Sequence, residues 1–173
     1  ASFSASQPFT FETLADVAYT NSTWVVAYTK SGQSNLFART AADSDLTTWS
    51  SEVDLGIAKP AAADGDHDPG PRANIAAASG RAVITSNKVA AIARIDVSGT
   101  TISNLANPTY SGALIRDITT DGSTWMIVTN GGDVHESTDS GATFTQTVDD
   151  MLTGTASSGT SIFGVAASKH LPL

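Results

Sequence analysis

Apolar residues occur along the chain in short runs that often alternate with polar residues and are separated by Gly, Asn, Asp and Ser. A period of two, bounded by turn-forming residues, is typical of short β-strands. No segment combines a sustained helical period with capping residues, so we expect almost no helix. The pattern predicts strands near residues 16–19, 23–28, 35–40, 48–53, 89–97, 101–105, 117–119, 124–128, 133–137 and 143–148.

Part of this strand pattern is repeated. Residues 16–29 match residues 117–129, and the match superposes Trp24 on Trp125 without a gap. Internal repeats of this kind indicate a fold built from similar units that stack on one another. We therefore predict that Trp24 and Trp125 are equivalent core residues on the second strands of their units.

Two weaker copies complete the series. Residues 74–85 repeat the same pattern, and a further start occurs at residues 163–169, where Val165 takes the place of Ile118. The spacing of the copies fits one four-stranded blade per step, as in a β-propeller. The predicted fold is all-β: a single β-propeller-like domain of about three four-stranded antiparallel blades, with a partial fourth built from the termini. The full units are expected at about residues 12–57, 72–108 and 112–150, and the partial unit at 158–173.

The stretch STDSGATF, between two predicted strands, has a specific spacing of Ser137, Asp139, Gly141, Thr143 and Phe144. It resembles the Asp-box, the repeat signature (BNR repeat) of sialidase-type β-propellers. Asp139 is suited to accept hydrogen bonds from turn amides, Gly141 to adopt a positive φ, and Ser137 and Thr143 to close the turn. We expect Phe144 to bury its ring between sheets. In the family this turn lies on the outer rim, so the resemblance implies a structural role and no catalytic one.

The resemblance extends to two further places. The stretch AADSDLTTW resembles a degenerate Asp-box, in which Asp43, Thr48 and Trp49 fit the pattern. His135 stands where this type of repeat favours an aromatic residue, so we expect a packed histidine at that position. Glu136 is expected on the opposite face of the same strand.

The same resemblance suggests an enzymatic alternative. Sialidases use a cluster of arginines for the substrate carboxylate, a nucleophilic Tyr with its Glu, and an acid/base Asp. This sequence has only five arginines and no Arg-Ile-Pro motif before the first repeat. Arg72 and Arg116 precede innermost strands, where loops line the central face of a propeller, but two arginines are too few. We predict no catalytic residues, with a fragment of a glycan-binding or sialidase-like propeller as the alternative.

An acidic loop, DGDHDPG, is the strongest local cluster of charge. Asp64, Asp66 and Asp68 alternate as the carboxylates of Ca²⁺-binding loops do, and crowded carboxylates favour a hard cation. However, Ile75 stands where such a loop has its final Glu, and Pro69 stands where it has Gly. The three carboxylates are therefore a candidate metal site, and a solvated surface loop without a cation is the other interpretation. The sequence indicates no other cofactor.

Charge and composition limit the partners. The chain has a formal charge of −8 and only nine Lys and Arg residues, which disfavours nucleic acid and anionic membranes. It has no cysteine, no apolar run long enough to span a membrane, and no recognisable signal peptide. In these respects it resembles BNR-like and WD40-like repeat proteins of phages. We predict a non-catalytic structural or interaction module, either in a virion as a capsid decoration or tail-associated component or else secreted or at the cell surface.

The termini bear on how the units are closed. Three units and a partial fourth leave the faces of the end sheets uncovered, and large apolar faces need cover. The stretches FSASQPFTF and SIFGVAAS are expected to pair in a small fourth blade or to pack on neighbouring copies. We favour assembly with other protein subunits, including copies of the chain, whereas the glycan alternative would add a surface glycan as ligand.

Overall fold

The structure, a computed structural model, describes residues 13–60, 73–87, 90–108, 110, 112 and 114–149. This described part contains twelve β-strands and no helix, which confirms the all-β class. The strands are β1 (Thr13–Thr20), β2 (Thr23–Thr29), β3 (Asn35–Ala42), β4 (Val53–Ala58), β5 (Ala73–Ala78), β6 (Arg81–Asn87), β7 (Ala90–Ser98), β8 (Thr101–Asn104), β9 (Ile115–Thr120), β10 (Trp125–Thr129), β11 (Val134–Ser137) and β12 (Thr145–Val148).

The strands form three antiparallel sheets of four strands each, as the repeats predict. The first sheet has the order β1-β2-β3-β4, the second sheet β5-β6-β7-β8 and the third sheet β9-β10-β11-β12. Each sheet is therefore a meander in which consecutive strands are neighbours. The predicted partial fourth unit and the terminal stretches expected to cover the end sheets lie outside the described residues.

Tight turns join the first two strands of the first and second sheets. Asn21 and Ser22 have φ values of 47° and 57°, and Ser79 and Gly80 have values of 51° and 76°. Positive φ at both turn positions gives a hairpin a twist that matches its strands. The two turns therefore fix the register of their hairpins without a bulge at the turn.

The fourth strand of the first sheet begins later than the sequence predicts. A strand was expected at residues 48–53, whereas β4 spans Val53–Ala58. The Ser50 amide donates to the Thr40 carbonyl at 2.8 Å, and the Thr40 amide donates to Ser50 Oγ at 3.0 Å. Side chain–backbone bonds of this kind compete with a regular ladder, so residues 48–52 form a loop beside β3.

Two apolar cores separate the three sheets, with β1 against β5 and β5 against β9. The core between the first and second sheets contains Val25, Ala27, Leu36, Ala38, Leu55, Ile57, Ala73, Ile75, Ala82, Ile84, Ala93, Ile95 and Val97. The core between the second and third sheets contains Ala76, Val83, Ile92, Ile115, Ile118, Trp125 and Ile127. Because successive side chains of a strand point to opposite faces, the second sheet contributes one face to each core.

The first sheet has a face turned away from the second sheet, which we call the outer face. Val25 and Ala27 point toward the second sheet, so Trp24, Val26 and Tyr28 alternate onto the outer face. Val26 and Tyr28 form a small cluster there with Phe37, and the Trp49 side chain packs against it. No other described sheet packs on this face.

Trp24 and Trp125 share one repeat position but differ in their surroundings. Trp125 is 2% exposed and packs between the second and third sheets. Trp24 lies on the outer face, where it is partly exposed, and its Nε1 donates to Asp43 Oδ1 at 2.9 Å. The prediction that both are core residues is therefore correct for Trp125 and wrong for Trp24, because no described sheet covers Trp24.

Candidate functional site

The Asp-box stretch forms a tight turn between β11 and β12 that is organised around one carboxylate. Asp139 Oδ1 accepts hydrogen bonds from Ser137 Oγ at 2.7 Å and from the amides of Ala142 and Thr143, both at 2.9 Å. Asp139 Oδ2 accepts from Thr143 Oγ1 at 2.7 Å, and the Gly141 amide donates to Ser137 Oγ. Partial burial alone would raise the pKa of Asp139, but these hydrogen bonds outweigh it and lower the pKa to about 2.

The turn also connects two sheets. Gly141 has a φ of 76°, and a Cβ atom at this position would lie 2.6 Å from Val83 Cγ2 of the second sheet. Arg94 Nε donates to the Ser140 carbonyl at 3.3 Å, and Phe144 packs against the core between the second and third sheets. Both oxygens of Asp139 thus accept hydrogen bonds from the turn itself. This arrangement stabilises the turn, and the turn in turn packs the third sheet on the second.

The corresponding turn of the first sheet has a different geometry. Asp43 was predicted to take the place of the Asp-box carboxylate, and this is wrong, because Asp43 accepts from Trp24 Nε1. Asp45 holds the turn instead, since its Oδ1 accepts from the amides of Thr47 and Thr48. Hydrogen bonds from these threonines lower the pKa of Asp45 to about 2. A short Asx turn replaces the Asp-box here.

Four titratable side chains meet on the outer face of the first sheet. Tyr28 Oη donates to Glu52 Oε2 at 2.6 Å, and Lys30 Nζ donates to Glu52 Oε1 at 2.7 Å. Arg39 Nε donates to Tyr28 Oη at 3.0 Å. Burial, reinforced by the Glu52 carboxylate, raises the pKa of Tyr28 to about 12. These hydrogen bonds join β2, β3 and the loop that contains Glu52, so the group holds this part of the first sheet together.

Sequence reasoning did not find this cluster. Alternation places Tyr28 and Arg39 on one face only once the pairing of Tyr28 with Phe37 is known. Glu52 lies in the loop whose length was misjudged, so its approach to Lys30 has no sequence signal.

Beside this cluster, the outer face of the first sheet carries an exposed apolar patch of Val17, Tyr19 and Trp24, which we call the aromatic patch. Val17 is 46% exposed and Tyr19 is 45% exposed. The Tyr19 and Trp24 rings lie 4.9 Å apart between centroids at an angle of 53°. The residues at the repeat position of Val17 in the second and third sheets are Ile75 and Ile118, which are 8% and 4% exposed.

The predicted packed histidine lies on the face of the third sheet that is turned toward the second. His135 is buried beside Ile127, and its ring meets that of Tyr110 edge-on at 5.1 Å between centroids. Burial lowers the pKa of His135, and the nearby Asp133 carboxylate only partly opposes this. His135 Nε2 is buried without a hydrogen-bond partner. A neutral imidazole is therefore the form that fits this position.

The described residues hold no group of three or more His, Asp or Glu side chains that could bind a metal ion. The predicted site at Asp64, Asp66 and Asp68 lies outside this part of the chain, so it stays a prediction. Within the same described ranges, no helix has the length and apolar character needed to cross a membrane.

Comparisons with known proteins agree with this architecture. No protein-family model matches the sequence, and a search of curated proteins finds no match either. Among solved structures, the chain is similar to glutaminyl cyclase of Myxococcus xanthus, with a TM-score of 0.50 and 10% identity over 77% of this chain and 48% of that chain. It is also similar to YCF48 bound to D1 peptide, with a TM-score of 0.48 and 14% identity over 82% of this chain and 43% of that chain.

These likenesses bear on the fold and on nothing finer. The chain spans less than half the length of either structure. The similarity to the propeller-like cyclase, at 10% identity, confirms the predicted β-propeller-like fold. The resemblance of the STDSGATF stretch to Asp-box repeats stays a prediction from the sequence.

Proposed function

We propose that this β-propeller-like chain is a non-catalytic module that binds other protein subunits, and that its assembly is a virion, in which it serves as a capsid decoration or tail-associated component. The aromatic patch is the observation that carries the proposal. The second and third sheets bury the residues at the repeat position of Val17 in contacts between sheets, whereas Val17 and Tyr19 remain close to half exposed. The patch therefore lies on a face of the kind that packs against a neighbouring sheet, and no described sheet covers it.

A protein surface is the partner that suits this patch best. Aromatic side chains are enriched at the centres of protein interfaces, where charged residues are depleted. The chain as a whole has a charge of −8, which disfavours nucleic acid as the partner. Phage structural proteins also fit the cysteine-free, acidic composition, and this association supports the virion part of the proposal.

A non-catalytic role is supported by the state of the titratable groups. Among the described residues, each carboxylate with a clearly lowered pKa accepts hydrogen bonds within a turn, as Asp45, Asp121 and Asp139 do, or belongs to the cluster around Tyr28, as Glu52 does. The Tyr28 hydroxyl is engaged by Glu52 and by Arg39 within the first sheet, and burial together with the Glu52 hydrogen bond raises its pKa to about 12. These hydrogen bonds support a structural role for the cluster.

A glycan-binding propeller is the second candidate, and the exposed ring of Tyr19 beside the partly exposed ring of Trp24 favours it. Aromatic faces offer an apolar surface to many ligands. However, the angle of 53° between these two rings prevents them from forming one flat platform. We therefore place the protein partner first.

The proposal is tested with two matched variants, Val17→Lys and Leu46→Lys. Leu46 is 45% exposed, so both changes place a charge at an equally exposed apolar residue, and only one lies in the patch. The binding targets are the assemblies that the proteins encoded by the flanking genes form, and binding is measured by titration calorimetry. We expect an assembled particle to bind the wild type, Val17→Lys to weaken binding at least tenfold, and Leu46→Lys to change it less than twofold.

Equal binding by both variants, or flanking genes without particle proteins, would contradict the proposal. Binding of the wild type to a glycan array, abolished by Tyr19→Ala, would favour the glycan alternative. Circular dichroism of each variant establishes that a loss of binding is not a loss of fold.

A further inference from the structure

The turn between β10 and β11 contains Asn130-Gly131, the only Asn-Gly pair in the sequence. The Thr129 amide donates to the Asp133 carbonyl at 3.1 Å, and the Asp133 amide donates to Thr129 Oγ1 at the same distance. The Gly132 amide donates to the Thr129 carbonyl at 3.2 Å, and Gly132 has a φ of 91°. These bonds fix the two ends of the turn, and Gly131 lies at its exposed tip.

The two groups of this pair that can react with each other are not engaged elsewhere. Asn130 is partly exposed and Gly131 is exposed. Within the ranges that the structure describes, neither the Asn130 side-chain amide nor the Gly131 backbone amide makes a hydrogen bond. Glycine has no Cβ, so no side chain hinders the Gly131 nitrogen, and its backbone adopts conformations that other residues rarely reach. This nitrogen can therefore approach Cγ of the residue before it.

We propose that Asn130 is a site of spontaneous modification by deamidation. The Gly131 nitrogen loses its proton and attacks Asn130 Cγ, so that a new N–Cγ bond closes a succinimide ring, while the Cγ–Nδ2 bond breaks and ammonia leaves with that proton. Water then opens the ring at one of its two carbonyls. Attack at Cγ gives aspartate, whereas attack at the main-chain carbonyl carbon gives isoaspartate, in which the main chain runs through Cβ and Cγ. Neither step oxidises or reduces the protein, and water is the only co-reactant.

The turn between β9 and β10 contains a similar pair, Asp121-Gly122, but its groups are engaged. Asp121 Oδ1 accepts from the amides of Thr124 and Ser123, both at 2.8 Å, and the Gly122 amide donates to Thr120 Oγ1 at 3.0 Å. Hydrogen bonds from the Thr124 and Ser123 amides lower the pKa of Asp121 to about 2, so its carboxylate is ionised at neutral pH. An ionised carboxylate resists attack by a nucleophile. This turn is therefore an internal control that we expect to stay unmodified.

Formation of isoaspartate changes the geometry of the third sheet. Isoaspartate adds one atom to the main chain inside a turn whose ends are joined by the hydrogen bonds between Thr129 and Asp133. The pairing of Val128 with Val134 follows directly from this turn, so a longer main chain disturbs the register of β10 and β11. Aspartate at position 130 keeps the length of the main chain and adds only a charge. We therefore expect isoaspartate to weaken the third sheet more than aspartate does.

The inference is tested by incubating the full chain at about pH 8, both folded and unfolded in guanidinium chloride, and by mapping its peptides with mass spectrometry. Fragmentation of the main chain distinguishes isoaspartate from aspartate. We expect Asn130 to deamidate in the folded chain at a rate within about tenfold of that in the unfolded chain, because the turn leaves both groups accessible. Isoaspartate should appear at position 130 and not at Asp121. The aged protein should unfold at a lower urea concentration than Asn130→Asp, which carries the added charge alone.

Gly131→Ala is the matched control variant. A Cβ atom at this position would lie 3.6 Å from Asp133 Oδ2 and 3.7 Å from Thr129 Oγ1, which are ordinary contacts, so the turn accommodates it. The added methyl group hinders the backbone nitrogen and restricts its approach to Cγ. Deamidation of this variant should therefore be at least tenfold slower than that of the wild type.

A rate in the folded chain that is more than tenfold below that in the unfolded chain would overturn the inference, because it would show that the turn blocks the reaction. Deamidation of Gly131→Ala at the wild-type rate, or deamidation of another asparagine while Asn130 stays intact, would also overturn it. Equal unfolding midpoints for the aged protein and Asn130→Asp would contradict the effect on the third sheet. If circular dichroism shows that Gly131→Ala does not fold, the ratio of the folded and unfolded rates of the wild type decides alone.

Discussion

Replacing Trp24 and Trp125 by Ala, one at a time, compares two residues that share a repeat position and differ in burial. Trp125 is 2% exposed between the second and third sheets, and its removal leaves a cavity with the surrounding core intact. Large-to-small changes of this kind cost about 3–5 kcal/mol of unfolding free energy. Trp24 is partly exposed and makes one exposed hydrogen bond, to Asp43, so we expect its removal to cost about 1–2 kcal/mol.

The assay is urea unfolding followed by far-ultraviolet circular dichroism, which does not depend on the tryptophan that each variant lacks. The expected difference between the two variants is about 2–3 kcal/mol, several times the error of the extrapolation. Equal losses for Trp24→Ala and Trp125→Ala would refute the reasoning, because they would mean that the outer face of the first sheet is as well packed as the core. A larger loss for Trp24→Ala would refute it more strongly.

Three further outcomes follow from the turn and from the buried histidine. In the wild type, the folded pKa of His135 lies below the unfolded value of about 6.5, so only the unfolded state gains a proton just below that pH and the stability falls as pH drops. His135→Phe should lose this part of the pH dependence. Urea denaturation of both proteins between pH 7 and 5 checks this. Asp139→Asn should cost about 1 kcal/mol at pH 7, and the difference from the wild type should shrink as pH falls from about 4 to about 2, where the folded carboxylate gains its proton. Gly141→Ala should cost about 2–4 kcal/mol of unfolding free energy, because the new Cβ strains a positive φ and meets Val83. Adding Val83→Ala should recover part of that loss, and losses that simply add in the double variant would contradict the contact.

The number and type of sheets could be predicted from the sequence because the repeats superpose strand on strand. Ile118 alternates with the polar residues Asp117 and Thr119, and that period sets which face each side chain takes. The start of β4 could not be predicted, because it depends on two hydrogen bonds between Ser50 and Thr40 that give no pattern of apolar residues.

The cluster around Tyr28 could not be predicted either, because it also depends on contacts between residues that are distant in the sequence. It joins Tyr28 and Lys30 at the end of β2 to Arg39 in β3 and to Glu52 in a loop. Such a meeting depends on strand register and loop path, whereas the sequence pattern specifies only the face of each residue. The Asp-box turn is the opposite case, because the hydrogen bonds of Ser137 and Asp139 fall within seven residues and local chemistry decides them.

The exposure of Val17 limits how tightly the first sheet would hold the proposed partner. Val17, Ile75 and Ile118 are equivalent in the repeat and are 46%, 8% and 4% exposed, so the neighbouring sheet, rather than the residue type, decides burial. Completing the burial of Val17 and Tyr19 would gain about 1 kcal/mol each, while association costs at least about 4 kcal/mol in lost freedom. The aromatic patch therefore holds a partner only weakly by itself. Weak contacts of this size become effective when many copies bind one large assembly, because each bound subunit raises the effective concentration of the next contact. A particle built from many identical subunits meets this requirement, which an isolated soluble partner does not.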